Sequence, residues 1–265
     1  MIAINFIKRE PNMPQTQQNS LNKPTGNLSP KRIDELNQQE QHRLRNTPDF
    51  FYQFAKNITL FEDDDIWLVD KPAGLLSVDG RQLKVSLLSR LEFVNPNVKL
   101  IHRLDMDTSG IMIFAKSKTA QSHISKQFID RLPQKHYEAV VMGVLAVAGK
   151  KGSVNIPVRY DPNHKPKHIT DPNWHKAALT HYEVLHHEIR QGQTVTRVSL
   201  KPVTGRSHQL RVHMTHLGHV MLGDPIYADG MARQLAGRLC LHAHKLRLKH
   251  PTLNVWMEWQ SPVPF

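Results

Sequence analysis

The sequence predicts one main domain that combines strands and helices. A chain of 265 residues with 39% hydrophobic content can bury one sizeable core. Several segments alternate apolar and polar residues with the period of two that is typical of strands. Other segments repeat apolar residues at helical spacing. Both patterns start near Ile58, so residues 58–265 are expected to form the folded domain.

The segment before this domain, residues 1–57, has a different composition. It is rich in Gln and Asn, contains scattered prolines and shows little regular apolar spacing. These features predict a mostly disordered tail. Between about Lys31 and Arg45 the tail could form a transient helix, but one with little apolar face to dock. We assign the tail no catalytic role.

The first predicted elements of the domain are two strands and a helix. ITLFEDDDIWLVD predicts a strand, an acidic turn at residues 63–65 and a second strand, and KPAG then forces a turn. Ser117 is expected to cap a helix whose apolar residues recur every four positions and which Pro133 closes. QKHYEAVVM predicts a strand on which Tyr137 shares a face with Ala139.

The second half of the domain begins with a segment that does not fit a regular element. Residues 157–174 contain four prolines together with Lys165 and Lys167, and we expect them to form a long basic loop. LTHYEVLHHEI and TVTRVSLKPV then predict two strands. TGRSHQLRVHMTHLGH, residues 204–219, predicts a helix of about three turns.

This predicted helix places Arg206 in its opening turn. The helix dipole disfavours a cation there by about 0.3 to 1 kcal/mol, so Arg206 is expected to need an anionic partner. No Asp or Glu occurs from Ile189 to Gly223. The partner must therefore come from elsewhere in the fold or from a ligand phosphate, and Asp105 is the natural candidate.

The net charge indicates the class of partner. Lys and Arg number 35 against 23 Asp and Glu, which gives a net charge of +12 and a pI near 9.9. Such a surface attracts polyanions, with nucleic acid as the leading class and an anionic membrane as the second.

The single cysteine, Cys240, fits a reducing cytosol. We expect no membrane span and no secretory signal, and therefore a cytoplasmic protein.

Cofactor chemistry finds little support in the motifs. Six histidines suggest a zinc site, but HExxH and CxxC spacings are missing, so structural or RNA-facing roles are favoured. These histidines are His208, His213, His216, His219, His242 and His244. GxSxG, Walker A and GxGxxG motifs are also missing. The sequence therefore predicts no metal and no nucleotide cofactor.

The stretch IHRLDMDTSGIMIF places a carboxylate, Asp105, in a tight turn before an apolar run. A carboxylate beside a guanidinium has a lowered pKa and stays charged at pH 7, which suits a nucleophile. A plain structural salt bridge explains such a pair equally simply, and on spacing alone it is the favoured interpretation.

Six segments resemble the RluA family of RNA pseudouridine synthases, and they occur in the family's order. HRLDMDTSG resembles the segment with the catalytic aspartate, KHYEAVVMG the segment with the active-site tyrosine and LKPVTGRSHQLRVHM the segment with the arginine. The others are VDKPAGLLSV, GHVMLGDPIYADG and LCLHAHKLRLKHP. The resemblance covers residues 58–265. It implies an α+β fold with a bent, mixed, mainly antiparallel sheet, flanking helices and a central active-site cleft.

The resemblance also implies roles for individual residues. Asp105 would attack either C1′ of the ribose or C6 of the uracil, without metal or cofactor. Tyr137 would pack against the target base, and Arg206 would pair with Asp105. Arg103 would enter the gap left by a flipped uridine. Further RNA contacts are expected from His102, Lys165, Lys167, His208 and Arg211.

The substrate is indicated less directly. The family often carries an S4 RNA-binding domain, which the Gln-rich tail does not resemble. The chain is in this respect similar to family members that modify both a tRNA anticodon loop and a 23S rRNA hairpin loop. A tRNA-only or rRNA-only synthase, a non-catalytic RNA-binding module and a hydrolytic glycosidase are the alternatives; the glycosidase would ordinarily need a second carboxylate. We expect a monomer.

Overall fold

The computed structural model describes residues 28–265, which contain six helices and twelve strands. In chain order they are α1 (Pro30–Asn46), α2 (Asp49–Ile58), β1 (Thr59–Glu62), β2 (Ile66–Lys71), α3 (Leu87–Val94), β3 (Lys99–Leu100), β4 (Ser109–Ala115), α4 (Lys118–Ile129), β5 (Gln134–Met142), β6 (Lys151–Asn155), β7 (Val158–Tyr160), β8 (His168–Thr170), β9 (Leu179–Arg190), β10 (Gln193–Pro202), α5 (Gln209–His216), α6 (Gly230–Gln234), β11 (Leu241–Lys249) and β12 (Trp256–Gln260).

The chain divides into two compact units. The first comprises the described residues up to Pro133 together with Leu246–Ser261, and the second comprises Gln134–Lys245 and Pro262–Phe265. The chain passes from the second unit to the first within β11. None of the helices within residues 28–265 combines the length and the hydropathy that crossing a membrane requires.

The first unit is built on strands in the order β1-β2-β4-β11, with β3 beside β4 and β12 beside β11. β2 pairs antiparallel with both β1 and β4. Buried apolar side chains from β2, β4, α4, β11 and β12 form its core. Side chains near in sequence bind the backbone N–H groups of the turn between β1 and β2 and of the start of α4, as expected from the sequence. The Asp63 carboxylate accepts the backbone N–H of Asp65 and of Ile66, both at 2.9 Å, and Ser117 caps α4.

The helices α1 and α2 differ from the disordered tail that the sequence predicts. α2 buries Phe51 and Phe54. α1 docks through a carboxylate, because Glu40 is only 5% exposed and binds the guanidinium of Arg90 in α3. An ionic attachment of this kind leaves no apolar stripe in the sequence of the helix. The part of the predicted tail in residues 1–27 lies outside the described residues.

The second unit has the strand order β11-β5-β10-β9-β6, and β10 pairs antiparallel with both β5 and β9. Its main core combines side chains from β5, β9, β10 and α5. Tyr137 packs against this core on the same side as Ala139, as predicted. The mixed and mainly antiparallel architecture agrees with the predicted fold class.

Residues 157–174 form an antiparallel hairpin of β7 and β8 and not a continuous loop. The four prolines do not prevent pairing because none of them lies in a paired stretch. Pro157 precedes β7, Pro172 follows β8, and Pro162 and Pro166 belong to the connecting turn. Counting the prolines without placing them led to the wrong prediction.

The helix predicted for residues 204–219 is also shorter than expected, since α5 spans eight residues and starts at Gln209. The preceding segment is held by the Gln209 side chain, whose Oε1 accepts the hydroxyl of Thr204 at 2.8 Å and the N–H of Arg206 at 3.0 Å. His208 then enters the helix with a positive φ of 55°. Arg206 therefore lies before the helix and not in its opening turn.

Candidate active site

The turn that contains Asp105 is held by a buried lysine of the first unit. Lys71 is the last residue of β2, and its side chain is fully buried. Its Nζ donates to the carbonyl oxygens of Pro72 at 2.8 Å, Leu75 at 2.7 Å and Met106 at 2.9 Å. A buried ammonium is costly unless its three donors find acceptors. The bonds therefore tie the turn after β2 to the residue that follows Asp105.

A second anchor fixes the residue before Asp105. The buried hydroxyl of Ser77 donates to the Leu104 carbonyl at 2.6 Å and accepts the Leu104 N–H at 3.0 Å. The Gly74 N–H also donates to the Met106 carbonyl at 2.9 Å, and the Thr108 N–H donates to the Asp105 carbonyl at 3.2 Å. Residues 71–77 thus hold the backbone on both sides of Asp105.

Exposure varies from residue to residue along this turn. Arg103 is exposed, Leu104 is buried, Asp105 is half-buried and Asp107 is buried. Anchoring Leu104 inward therefore leaves the residues on either side of it accessible. The structure thus presents a guanidinium and a carboxylate two positions apart on a rigid backbone.

His102, a predicted RNA contact, packs between β4 and α4. Its Nε2 accepts the backbone N–H of Ile113 at 3.2 Å, and its ring stacks on Phe128 with the centroids 5.0 Å apart. The imidazole is thus used to attach the Asp105 turn to β4 and α4. These contacts describe a structural role and give no support to the predicted RNA contact.

Tyr137 and Arg206 lie in the second unit. Tyr137 is half-buried on β5, where it stands opposite Leu200 of β10. Arg206 is half-buried, and its Nε donates to the Ala177 carbonyl at 3.1 Å. Because α5 begins only at Gln209, the helix dipole no longer argues for an anionic partner of Arg206. Its pairing with Asp105 stays a prediction.

His208 belongs to a hydrogen-bonded group that connects β8 to the start of α5. The Tyr227 hydroxyl oxygen accepts the backbone N–H of His168 at 2.8 Å and lies 2.8 Å from Nδ1 of His208. Lys165 and Lys167 are exposed in the turn between β7 and β8. The predicted RNA contacts of these two lysines and of His208 stay predictions.

Arg211 is buried and already bound, which contradicts the predicted contact with RNA. It is 1% exposed, and its guanidinium donates to the Asp224 carboxylate from Nε at 2.7 Å and from Nη2 at 2.6 Å. Asp224 also accepts the backbone N–H of Ile226 and of Tyr227. Arg211 thus stabilises the unit from inside. The sequence held a signal for this pair, since Asp224 is the first carboxylate after the stretch from Ile189 to Gly223 that contains none.

His213 is a buried structural histidine. Its Nε2 lies 3.0 Å from the Ile156 carbonyl, to which it must donate, so Nδ1 accepts the Thr180 hydroxyl at 2.9 Å. Burial lowers the pKa of His213 and keeps it neutral. Within residues 28–265 there is no group of three or more His, Cys, Asp or Glu side chains that could hold a metal ion.

Comparison with known proteins identifies the family. The family profile described as RNA pseudouridylate synthase matches residues 65–216, more than half of the chain. The chain belongs to the RNA pseudouridylate synthase family. Its members are isomerases, as predicted for this chain.

Relatives and a solved structure agree with this assignment. The chain is 44% identical over 205 residues to the dual-specificity RNA pseudouridine synthase RluA of Pasteurella multocida, which covers 77% of this chain and 91% of the relative. It is 42% identical over 210 residues to the Escherichia coli K12 protein of the same name, covering 78% and 94%. Human RNA pseudouridylate synthase domain containing 1 superposes with a TM-score of 0.67 at 29% identity, covering 78% and 84%.

Sequence reasoning missed the anchors of the turn. Lys71 and Ser77 occur in the quoted segment VDKPAGLLSV, which predicted only a turn. The available signal was a lysine two positions after the apolar run IWLV, at the end of a predicted buried strand, where a charged residue needs internal partners. Ser77 carries no comparable signal, because its partner Leu104 is distant in the sequence.

Asp224→Asn tests the structural role of Arg211. The substitution leaves a buried guanidinium without its counter-charge, so we expect the free energy of unfolding to fall by about 3–5 kcal/mol. Urea unfolding at 25 °C measures the change. Asp171→Asn is the matched control, because Asp171 pairs with Arg159 in the same unit. The side chains of this pair are partly exposed, Asp171 at 25% and Arg159 at 31%. A loss no greater than that of the control would contradict a structural role for Arg211.

Proposed function

We propose that this pseudouridine synthase isomerises a uridine in a tRNA anticodon stem-loop and one in a 23S rRNA hairpin loop, with Asp105 as the nucleophile. The observation that carries the proposal is the backbone anchoring of Asp105 by Lys71 and Ser77, in a chain that belongs to this family. A nucleophile gains most from such rigidity, because attack requires the reacting atoms to be held near contact distance.

The reaction replaces the bond between N1 and C1′ by a bond between C5 and C1′ and moves one proton from C5 to N1. A carboxylate oxygen of Asp105 bonds to C1′ of the ribose or to C6 of the uracil, and the bond between N1 and C1′ breaks. The base then turns within the site, and C5 bonds to C1′ while the bond to Asp105 is released. C5 loses its proton and N1 gains one, so the product is an isomer of the substrate.

Arg206 and Tyr137 take supporting roles in this proposal. The Arg206 guanidinium pairs with the Asp105 carboxylate, and the bond from its Nε to the Ala177 carbonyl orients it. In this proposal Tyr137 packs against the target base and is the candidate for handling the C5 proton. Its support comes from β5, which fixes the ring against the core opposite Leu200.

The exposed cations bind and open the RNA. Arg103 enters the stack in place of the flipped uridine, supported by its exposure and by the anchoring of the neighbouring Leu104. Lys165 and Lys167 contact phosphates from the tip of the β7–β8 hairpin, and the net charge of +12 strengthens binding overall.

Two substrates are proposed because the similar bacterial proteins are named dual-specificity synthases. One site can serve two RNAs if it reads the shape of a loop and stacks a few unpaired bases, as proteins commonly do with RNA. We further propose that the chain acts as a monomer in the cytoplasm, where both substrates occur.

Asp105→Asn tests the chemistry. With RNA labelled with tritium at C5 of uridine, we expect the wild-type protein to release tritium and the variant to lose the rate by roughly 10⁴-fold, because a nucleophile is removed. RNA affinity is expected to stay unchanged. Asp79→Asn is the control, since it removes an exposed carboxylate from the same unit.

The products distinguish the alternatives. Free uracil would indicate a hydrolase, and a wild-type protein that binds both RNAs without forming a product would indicate a binding module. Tritium release from only one of the two RNAs would limit the proposal to a tRNA-only or an rRNA-only synthase.

Replacing Lys165 and Lys167 with Ala tests the hairpin. We expect weaker binding of an anticodon stem-loop and a slope of log affinity against log salt that is smaller by roughly 1 for each lysine. Lys118→Ala with Lys126→Ala is the control, because it removes the same charge from exposed positions on α4. An equal loss of RNA affinity in both double variants would show that the hairpin lysines contribute only through the net charge of the protein.

A further inference from the structure

The helix α1 lies outside the part of the chain that the family profile matches. The match of 205 residues takes up 91% of the Pasteurella relative but only 77% of this chain. Most of the unmatched residues are therefore an addition in this chain. The family profile begins at residue 65, whereas α1 spans Pro30–Asn46.

The attachment of α1 to the first unit is ionic and buried. Glu40 accepts from Nε of Arg90 at 2.5 Å and from Nη2 at 2.9 Å, with the two residues 5% and 2% exposed. Phe54 of α2 covers this pair, since the Arg90 guanidinium carbon lies 4.8 Å from the centroid of its ring. A bidentate pair in an apolar setting fixes direction as well as distance. α1 is thus held to α3 in one orientation.

A second contact joins α1 to the loop that precedes α3. The Asn37 side chain donates from Nδ2 to the Gln82 carbonyl at 3.0 Å, and its Oδ1 accepts the Lys84 N–H at 2.8 Å. One amide group therefore satisfies two backbone groups on either side of Leu83. This is the pattern of a side chain that fixes the shape of a loop.

The loop and α3 are in turn bonded to the anchor of Asp105. The N–H groups of Leu87 and Leu88, at the start of α3, donate to the carbonyls of Leu76 at 2.7 Å and Ser77 at 3.1 Å. Ser77 then holds Leu104 through both of its backbone groups. Each of these contacts lies within the first unit. The chain of contacts runs from α1 through α3 to the residue before the nucleophile.

We propose that α1 positions the Asp105 turn, with Asn37 and Glu40 as positioning residues for isomerisation. The inference rests on the proposed function, because α1 would raise the rate of isomerisation by holding the nucleophile in place. Ser77 can hold Leu104 in place only while its own backbone is fixed by the start of α3. α1 in turn bonds to α3 through Glu40 and to the preceding loop through Asn37.

Asn37→Ala is the first test, since it removes both loop contacts without leaving a buried charge. We expect the single-turnover rate at saturating enzyme to fall by roughly tenfold, because displacement of a reacting group is costly, while RNA affinity stays unchanged. Gln38→Ala is the matched control, as Gln38 is exposed on the same helix. A wild-type rate in Asn37→Ala would overturn the proposal.

Hydrogen exchange gives a second readout that needs no RNA. We expect the Leu104 amide, which donates to Ser77, to exchange faster in Asn37→Ala than in Gln38→Ala. Unchanged protection at Leu104 would overturn the proposal, even with a lower melting temperature, since α1 would then serve stability alone. If the wild-type protein released no tritium, the proposed function would fail and this exchange experiment would still decide the role of α1.

A charge exchange separates positioning from loss of folding. Glu40→Gln leaves the Arg90 guanidinium without its counter-charge and is expected to lower the rate and the stability together. Glu40→Arg combined with Arg90→Glu restores an ion pair of reversed polarity, and we expect it to recover at least part of the rate. A double variant that regains its melting temperature but none of the rate would contradict the proposal.

Discussion

The buried ammonium of Lys71 is the interaction on which the candidate site depends. It collects three carbonyl groups from two segments that are far apart in the sequence, the turn after β2 and the Asp105 turn. An ammonium without these acceptors could not stay buried, because its desolvation would cost several kcal/mol. The arrangement is therefore mutual, since the carbonyls keep the lysine inside and the lysine keeps the two turns together.

The Asp105 turn separates rigid backbone from accessible side chains. Within the Asp105 turn, Lys71 and Gly74 bind the Met106 carbonyl, and Ser77 binds the N–H and carbonyl of Leu104. None of these bonds uses the side chain of Arg103 or Asp105. This division lets a protein place reactive groups at its surface without making them part of its structural core. Arg211 in the second unit shows the opposite case. Its charged side chain is buried and binds Asp224, so it stabilises the fold.

Elements set by local chemistry could be predicted from the sequence. Asp63 and Ser117 act on backbone groups two or three residues away, so their positions alone indicated a turn and a helix start. The alternation on β5 also predicted that Tyr137 and Ala139 share a face. Asp105 could be singled out as a candidate nucleophile because the surrounding motifs resemble a known family.

Interactions between distant residues could not be predicted in this way. Glu40 and Arg90 are fifty positions apart, and a helix that docks through polar side chains needs no apolar stripe. The start of α5 was misplaced because the Gln209 side chain closes the preceding segment into a turn of its own. In both cases a polar side chain determines the local structure, and the periodicity of apolar residues gives no information about polar contacts.

The single-turnover rate of Lys71→Met shows whether the buried ammonium positions the nucleophile. Methionine keeps most of the volume and removes the donors, so the variant should fold with a looser Asp105 turn. We expect cooperative unfolding, unchanged RNA affinity and a rate of pseudouridine formation that is lower by roughly 10- to 100-fold. A folded Lys71→Met protein with the wild-type rate would show that the ammonium does not position the nucleophile, and would contradict this account.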